Sequence, residues 1–351
     1  MSITYLEFKN LSKNEWNKII NQFEGNISQY YYDMINYHIS FFKSENLSFI
    51  LSVNSKPVAA ATFGILKQGD SHNICFGGAN SYFPSPIFEK NLNSYEKRRI
   101  IDIVIKKIFE IAKNKKIKKI NMITYPITHC TKEKKFKISS KDQFLFMQYF
   151  DQLKIINSCI INLDKNLDDL WQELSSDRKK NINKIIKKKL DFNIFDNKKD
   201  KKECLSVFKH FKETHFISSG RKTRSDESWD IMYQMLLNGN ARLFTLDHNQ
   251  KTISFVFVGE FENYSISWSQ ANVEEYEKEF TPRHLLEWNV IKFYKEIGFD
   301  FYDIGEIYID YCDYSFSDKE KNISNFKMKF GGNLFPRAYY QKRIHENLAK
   351  N

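Results

Sequence analysis

The sequence predicts an α/β protein built from two tandem, similar halves, each a mixed, mostly antiparallel sheet flanked by helices. Three observations predict it. The length, 351 residues, suits two domains rather than one. Each half runs through the same order: three strand-like segments, a loop, an amphipathic helix and a closing strand. The third strand of each half also ends alike, "GGAN" at 77–80 and "SQAN" at 269–272. The expected division is 1–150 and 151–351.

In the first half, "LSFILSVN" (47–54) and "KPVAAATFGIL" (56–66) read as a hairpin, and "HNICFGGAN" (72–80) as a third strand. A loop with Pro84 and Pro86 follows. "RRIIDIVIKKIFEIAKN" (98–114) places Ile101, Val104, Ile105, Ile108 and Ala112 on one helical stripe. "IKKINMITYP" (117–126) closes the set. Between the halves, "LDDLWQELSSDRKKNINKIIKKKLDF" (167–192) reads as one long helix, apolar along Leu170, Leu174, Ile182 and Ile186 and basic on its other side. The polar stretch "THFISSGRKTRSDESW" (214–229) reads as a loop between helices, a common place for binding residues.

In the second half, "ARLFTLDHN" (241–249), "TISFVFVGEF" (252–261) and "YSISWSQAN" (264–272) read as successive strands. The loop "VEEYEKEFTPRH" leads into a helix, "LLEWNVIKFYKEIG" (285–298), with Leu286, Val290, Phe293 and Ile297 at helical spacing and a glycine stop. "FDFYDIG" (299–305) is the last short strand.

Composition narrows the function classes. No apolar run reaches transmembrane length, and the N-terminus lacks the pattern of a signal peptide. Five scattered cysteines without C-x-x-C spacing argue against a zinc site or a disulfide framework, and fit a cytoplasmic location. The net charge is +11, yet only 9 of the 54 basic residues are Arg. Nucleic-acid surfaces lean on Arg for bidentate contacts, so the excess reads first as a solvated surface that also attracts phosphate-bearing molecules.

The run "EFTPRHLLEWNVIKFYKEIGFDFYDIGEI" (279–307), with "SNFKMKFGGNL" (324–334), resembles the Fem-type, double-GNAT branch of the GNAT acyltransferases. The matching positions are Pro282, Trp288, Gly298, Tyr302-Asp303-Ile304-Gly305 and Phe326-Lys327…Phe330-Gly331-Gly332. "SSDRKKNINKIIKKKLDF" (175–192) looks like the family's connecting helix. The resemblance is good from about 160 onward, and rests on element order before that. One departure stands out. Acetyl-CoA enzymes of the superfamily carry a glycine-bearing loop before the helix, and here it reads "EKEFTPRH".

The resemblance implies an amide-forming acyltransferase with an acyl-CoA co-substrate, no permanently bound cofactor and no metal. The acyl donor would lie where the strands "SISWSQAN" and "FYDIG" splay apart, with backbone N–H groups around Trp268, Ser269 and Gln270 polarising the thioester carbonyl. Lys327 would project into the cleft near the oxyanion or an acceptor phosphate, and Gly331-Gly332 would turn the backbone tightly beside the ligand. From the residues themselves, the helix opening at Thr281-Pro282 suits an anion, with Arg283 and His284 adding contacts. Asp303, Glu306 and His284 remain candidates for the base that deprotonates the amine, Glu306 the more exposed. Arg221, Lys222 and Arg224 suit the acceptor's diphosphate, Trp229 suits stacking on its base, and His215 and Tyr302 fall on the acceptor side. Cys312 lies near the site without a His partner. The expected acceptor is a nucleotide-linked amino sugar destined for surface polysaccharide. The alternative is tRNA-dependent aminoacyl transfer to a peptidoglycan precursor, which would make tRNA the partner.

Overall fold

The computed structural model describes residues 2–68, 71–76, 82–130, 135–138, 144–310 and 315–344. They form two compact units, one of 1–155 with the segment from 336 onward, the other of 156–335. The segment from 336 therefore clusters with the first unit, not with the second half as expected.

The first unit opens with β1 (Ile3–Glu7), α1 (Lys13–Ile20), β2 (Phe23–Glu24), α2 (Tyr32–Phe42) and β3 (Glu45–Asn46). The expected hairpin follows as β4 (Phe49–Val53) and β5 (Lys56–Ala61), antiparallel through Phe49↔Ala61. Its turn, Asn54-Ser55, has φ of 47° and 65°, the positive values that let a two-residue turn match strand twist. The reading of 56–66 as one strand is corrected: β6 (Gly64–Gln68) starts anew and pairs with β7 (Ser71–Phe76) and β3. Ser48 forces the break, because its hydroxyl accepts from Phe63 N at 3.0 Å while Leu47 N bonds Phe63 O. The repeat segment at 77–80 lies outside the described residues.

Next come β8 (Phe83–Pro84), β9 (Ile87–Glu89) and α3 (Ser94–Asn114), started by a capping box of Asn93 and Glu96. Its five expected stripe residues are all buried; each large one contributes about 1.5–3 kcal/mol by leaving water. After it, β10 (Lys119–Ile123) pairs in parallel with β7. The hairpin of β11 (Ile127–Cys130) and β12 (Lys135–Ile138) follows.

β13 (Gln152–Asn162) carries the chain into the second unit. The expected long helix is two helices, α4 (Leu167–Glu173) and α5 (Ser176–Ile186), and its end is a strand, β14 (Asp191–Phe195). Leu174 turns extended, with ψ 141°, and Ser175 restarts the helix by accepting from Arg178 N. This break rotates the apolar face: Ile185 is buried and Ile186 is 51% exposed. Arg178, read as part of the basic surface, is also buried, at 2%.

The segment 214–229 is also corrected. α6 (Lys201–Ser219) continues through His215 to a left-handed Gly220, and Trp229 lies in α7 (Asp226–Leu237), so the loop is only 220–225. β15 (Ala241–His248), β16 (Lys251–Phe261) and β17 (Tyr264–Asn272) form the expected meander. Asn249-Gln250 repeats the paired positive φ of Asn54-Ser55. α8 (Glu274–Glu279) sits in the expected loop, and α9 (Arg283–Glu296) leads to β18 (Phe301–Ile307), parallel to β17 as β10 is to β7. The sheet order is β14-β15-β16-β17-β18-β13. Ile297, counted in the α9 stripe, caps the helix and is 44% exposed; Leu285, Ile291 and Tyr294 are buried instead. α10 (Asp318–Met328) and β19 (Asn333–Arg343) end the described chain, with β19 antiparallel to β10. No helix among the described residues is long and apolar enough to cross a membrane.

Candidate active site

β17 and β18 pair in parallel only from Tyr264↔Phe301 to Ile266↔Asp303. Beyond that point β17 continues to Asn272 against β16, while β18 continues to Ile307 against β13. The two strands therefore part where the family pattern expects a splay, leaving backbone groups of Ser267–Asn272 without a β18 partner.

The parting is reinforced by a bulge. The β13–β18 register jumps from Ile160↔Asp303 to Cys159↔Gly305, so Ile304 is the extra residue. Asp303 secures it: its fully buried carboxylate accepts from Gly305 N (2.8 Å), Ser158 Oγ (3.1 Å) and Tyr264 OH (2.7 Å). A carboxylate committed to three donors and shut from solvent is a strand fastener, and the geometry argues against Asp303 as the base. Gly305, at φ 106°, is where the backbone needs glycine.

Lys327 reaches this bulge. Its Nζ donates to Glu306 O at 2.9 Å, and a Cβ on Gly305 would lie 2.7 Å from that nitrogen. α10 is held in place by Ser324, whose hydroxyl accepts from Tyr308 N at 2.7 Å just past β18. Lys327, one turn on, shares that helix face. Lys329 instead pairs with Asp177 at 2.6 Å on the surface. The glycine pair does not face a ligand: a Cβ on Gly331 would meet Glu173 Cβ at 2.9 Å, and one on Gly332 would meet Ile160 O at 2.9 Å. Those glycines serve close packing of the chain on itself.

The other base candidates differ from expectation. Glu306 is buried, at 8%, and its carboxylate accepts from Tyr308 OH. His284 is buried too; burial first, then Arg178 and Arg283, push its pKa down to about 3. A ring that stays neutral so far into acid is a weak base at neutral pH.

Around the parting, Trp268 stacks on Phe257, Ser269 is buried with its hydroxyl unpartnered, and Gln270 Nε2 donates to Glu287 Oε2 at 2.6 Å. Glu287 was not singled out from the sequence. It is fully buried, takes a second bond from Tyr302 OH, and burial pushes its pKa up to about 7. Tyr302 is therefore a core residue, 0% exposed and stacked on Tyr294, not an acceptor contact. Cys159 lies beside the bulge, but burial and Asp303 push its thiol up to about 12, an inert setting. Cys312 lies outside the described residues.

At the start of α9, Thr281 takes φ 56°, a costly conformation for a β-branched residue and the one glycines of the usual loop adopt easily. The N–H groups of His284, Leu285 and Leu286 already bond Thr281 O and Pro282 O. Few free backbone donors remain there for a pyrophosphate, contrary to the sequence reading. What converges is side chains: Arg283 and His284 from α9, and Arg178 from α5, gather around Phe326.

A separate hollow of about 690 Å³ lies between α6 and α7, lined by Lys209, His215, Phe216, Arg221, Lys222 and Trp229. His215 Nε2 accepts from Arg224 Nη1 at 3.1 Å; since Arg only donates, the ring proton is on Nδ1. Burial and Arg224 push the His215 pKa down to about 4. Trp229 is 4% exposed and packed among Phe208, Phe211 and His215, so its faces are not free to stack on a base. Lys222 pairs with Asp226.

Residues 176–314 match the family described as acetyltransferase (GNAT) domain. No curated protein matches the chain. Among solved structures, FemX superposes with a TM-score of 0.63 at 13% identity, covering 99% of this chain and 98% of that one. L-PGS from Bacillus licheniformis gives 0.59 at 12%, covering 96% and 93%. A tandem GNAT protein from the clavulanic acid biosynthesis pathway gives 0.54 at 9%, covering 97% and 98%. Residues 176–314 thus carry a GNAT acetyltransferase domain, and the chain as a whole shares the fold of FemX and the tandem GNAT protein.

Proposed function

We propose that the protein is an N-acyltransferase that moves an acyl group from acyl-CoA to the amino group of a nucleotide-linked amino sugar, in the cytoplasm and for surface polysaccharide. The observation that carries the reading is the parting of β17 from β18 with the Lys327 ammonium at its edge. The acceptor amine attacks the thioester carbonyl, the C–N bond forms, and the tetrahedral oxygen takes the charge. Backbone N–H groups of Ser267–Asn272 and Lys327 stabilise that oxygen. Collapse breaks the C–S bond and releases CoA thiolate, while the amine's proton passes to water or to Glu306. The 690 Å³ hollow, with Arg221 and Lys222 at its rim, suits the acceptor's diphosphate. The first unit is a degenerate copy in this reading, and the second binds the donor. Unfolding followed with and without excess CoA tests it: ligand at 100 times its dissociation constant adds about 2.7 kcal/mol, and no shift in melting temperature would refute it.

A second reading has its own observation. Lys180, Lys184, Lys187, Lys188 and Lys189 are exposed on and just past α5, which favours aminoacyl-tRNA as donor and a peptidoglycan precursor as acceptor. It requires tRNA binding that weakens steeply with salt.

A further inference from the structure

We propose that Arg178, Arg283 and His284 form a phosphate-binding site, at the junction of α5, α9 and α10, that replaces the missing glycine loop. Arg178 carries the argument. It is 2% exposed, yet only Nη2 is committed, donating to Phe326 O at 2.9 Å; Nε and Nη1 have no partner. Its guanidinium lies 4.6 Å from the Phe326 ring and 4.2 Å from Phe330. Arg283 lies 4.5 Å from the same Phe326 ring. His284 lies 5.6 Å from it, 9% exposed, with Nδ1 unpartnered.

Arg178 makes no ion pair of its own among the described residues. Lys329 and Asp177 satisfy each other. Glu277, 2.8 Å from Arg283 Nε, is one carboxylate for two guanidiniums. Glu287 also faces Arg178, but it is held by Gln270 and Tyr302, and burial favours its protonated form. Buried charges are ordinarily paired and hydrogen-bonded, and a guanidinium with two idle donors suits two oxygens of one phosphate. Phe326 immediately precedes Lys327, so a phosphate drawn to Arg178 would also brace the turn that aims Lys327.

The identity of the ligand rests on the proposed function: CoA pyrophosphate and tRNA phosphodiester offer the same chemistry. The test titrates inorganic pyrophosphate, CoA and total tRNA into the full chain, by calorimetry and thermal unfolding, for wild type, Arg178→Gln and Arg283→Gln. The expected result is wild-type binding of pyrophosphate and CoA, weakened at least tenfold in either variant. tRNA binding that depends on both arginines, without CoA binding, would uphold the site and refute the acyl-CoA reading. CoA binding unchanged in folded variants would overturn the site and leave that reading intact. No binding of any probe overturns both. Should Arg178→Gln fail to fold, Arg283→Gln decides, since the Arg283 side chain is 37% exposed and its loss leaves the core intact.

Discussion

Glu287→Gln is the most informative stability experiment. In the native protein the carboxyl is pushed up from 4.5 to about 7, first by burial. The native state thus holds a proton that the unfolded chain gives up above about pH 4.5. Wild-type stability from this group is fully present below that value and is lost as pH rises through about 7. A difference of about 2.5 units at 1.36 kcal/mol each gives roughly 3 kcal/mol lost by pH 8.5. Gln keeps the shape, stays neutral, and can bond Tyr302 and Gln270 after an amide turn. Urea unfolding at pH 5 and pH 8.5, read by tryptophan fluorescence in a Trp16→Phe background, reports the second unit alone, since Trp171, Trp229, Trp268 and Trp288 all lie there. The variant should gain roughly 2–3 kcal/mol on wild type between the two pH values, because at pH 5 the unfolded carboxyl is already mostly ionised and about 1 kcal/mol has gone. An equal difference at both would refute the reasoning, because Glu287 would then ionise alike in folded and unfolded chains.

Further outcomes are expected. Lys327→Ala should lower kcat about 10²–10³-fold, the cost of one oxyanion donor, with unchanged circular dichroism; Lys329→Ala, which removes a surface pair two residues away, should change stability by less than about 1 kcal/mol and leave kcat alone. Gly332→Ala should destabilise by about 1–3 kcal/mol in denaturant titration, because the Ile160 carbonyl in its way is backbone and cannot yield. Gly305→Ala meets only the end of a flexible lysine, so its stability loss should be the smaller of the two while its kcat falls with the displaced Lys327. By NMR, the His284 and His215 rings should remain neutral at pH 6 and titrate near 3 and 4; a ring titrating near 6.5 would contradict the burial described.

The tandem architecture was legible in the chain because each of its signals is local. Strand alternation in 241–272, the stripe of α3 and the glycine after α9 each depend on neighbours a few residues away. The same locality explains the errors. Apolar spacing alone does not separate one long helix from two within 167–192, and the one-helix reading missed the local cap signal at Ser175, with Asp177 in the next turn; Leu174 turns because it has a core to enter. Tyr302 in a family motif reads as a contact, but only packing shows it sealed against Tyr294 and Glu287. Arg178 sits in a basic run indistinguishable from a solvated face until α9 and α10 close over it. The motif in "FKMKFGG" was visible, but the partners were not: Lys327 meets residues some twenty positions earlier, and the glycines meet Glu173 and Ile160. Short-range spacing determines which elements form. Which charges are buried, and which stand unpaired, depends on segments far apart in sequence, and only the tertiary structure brings those together.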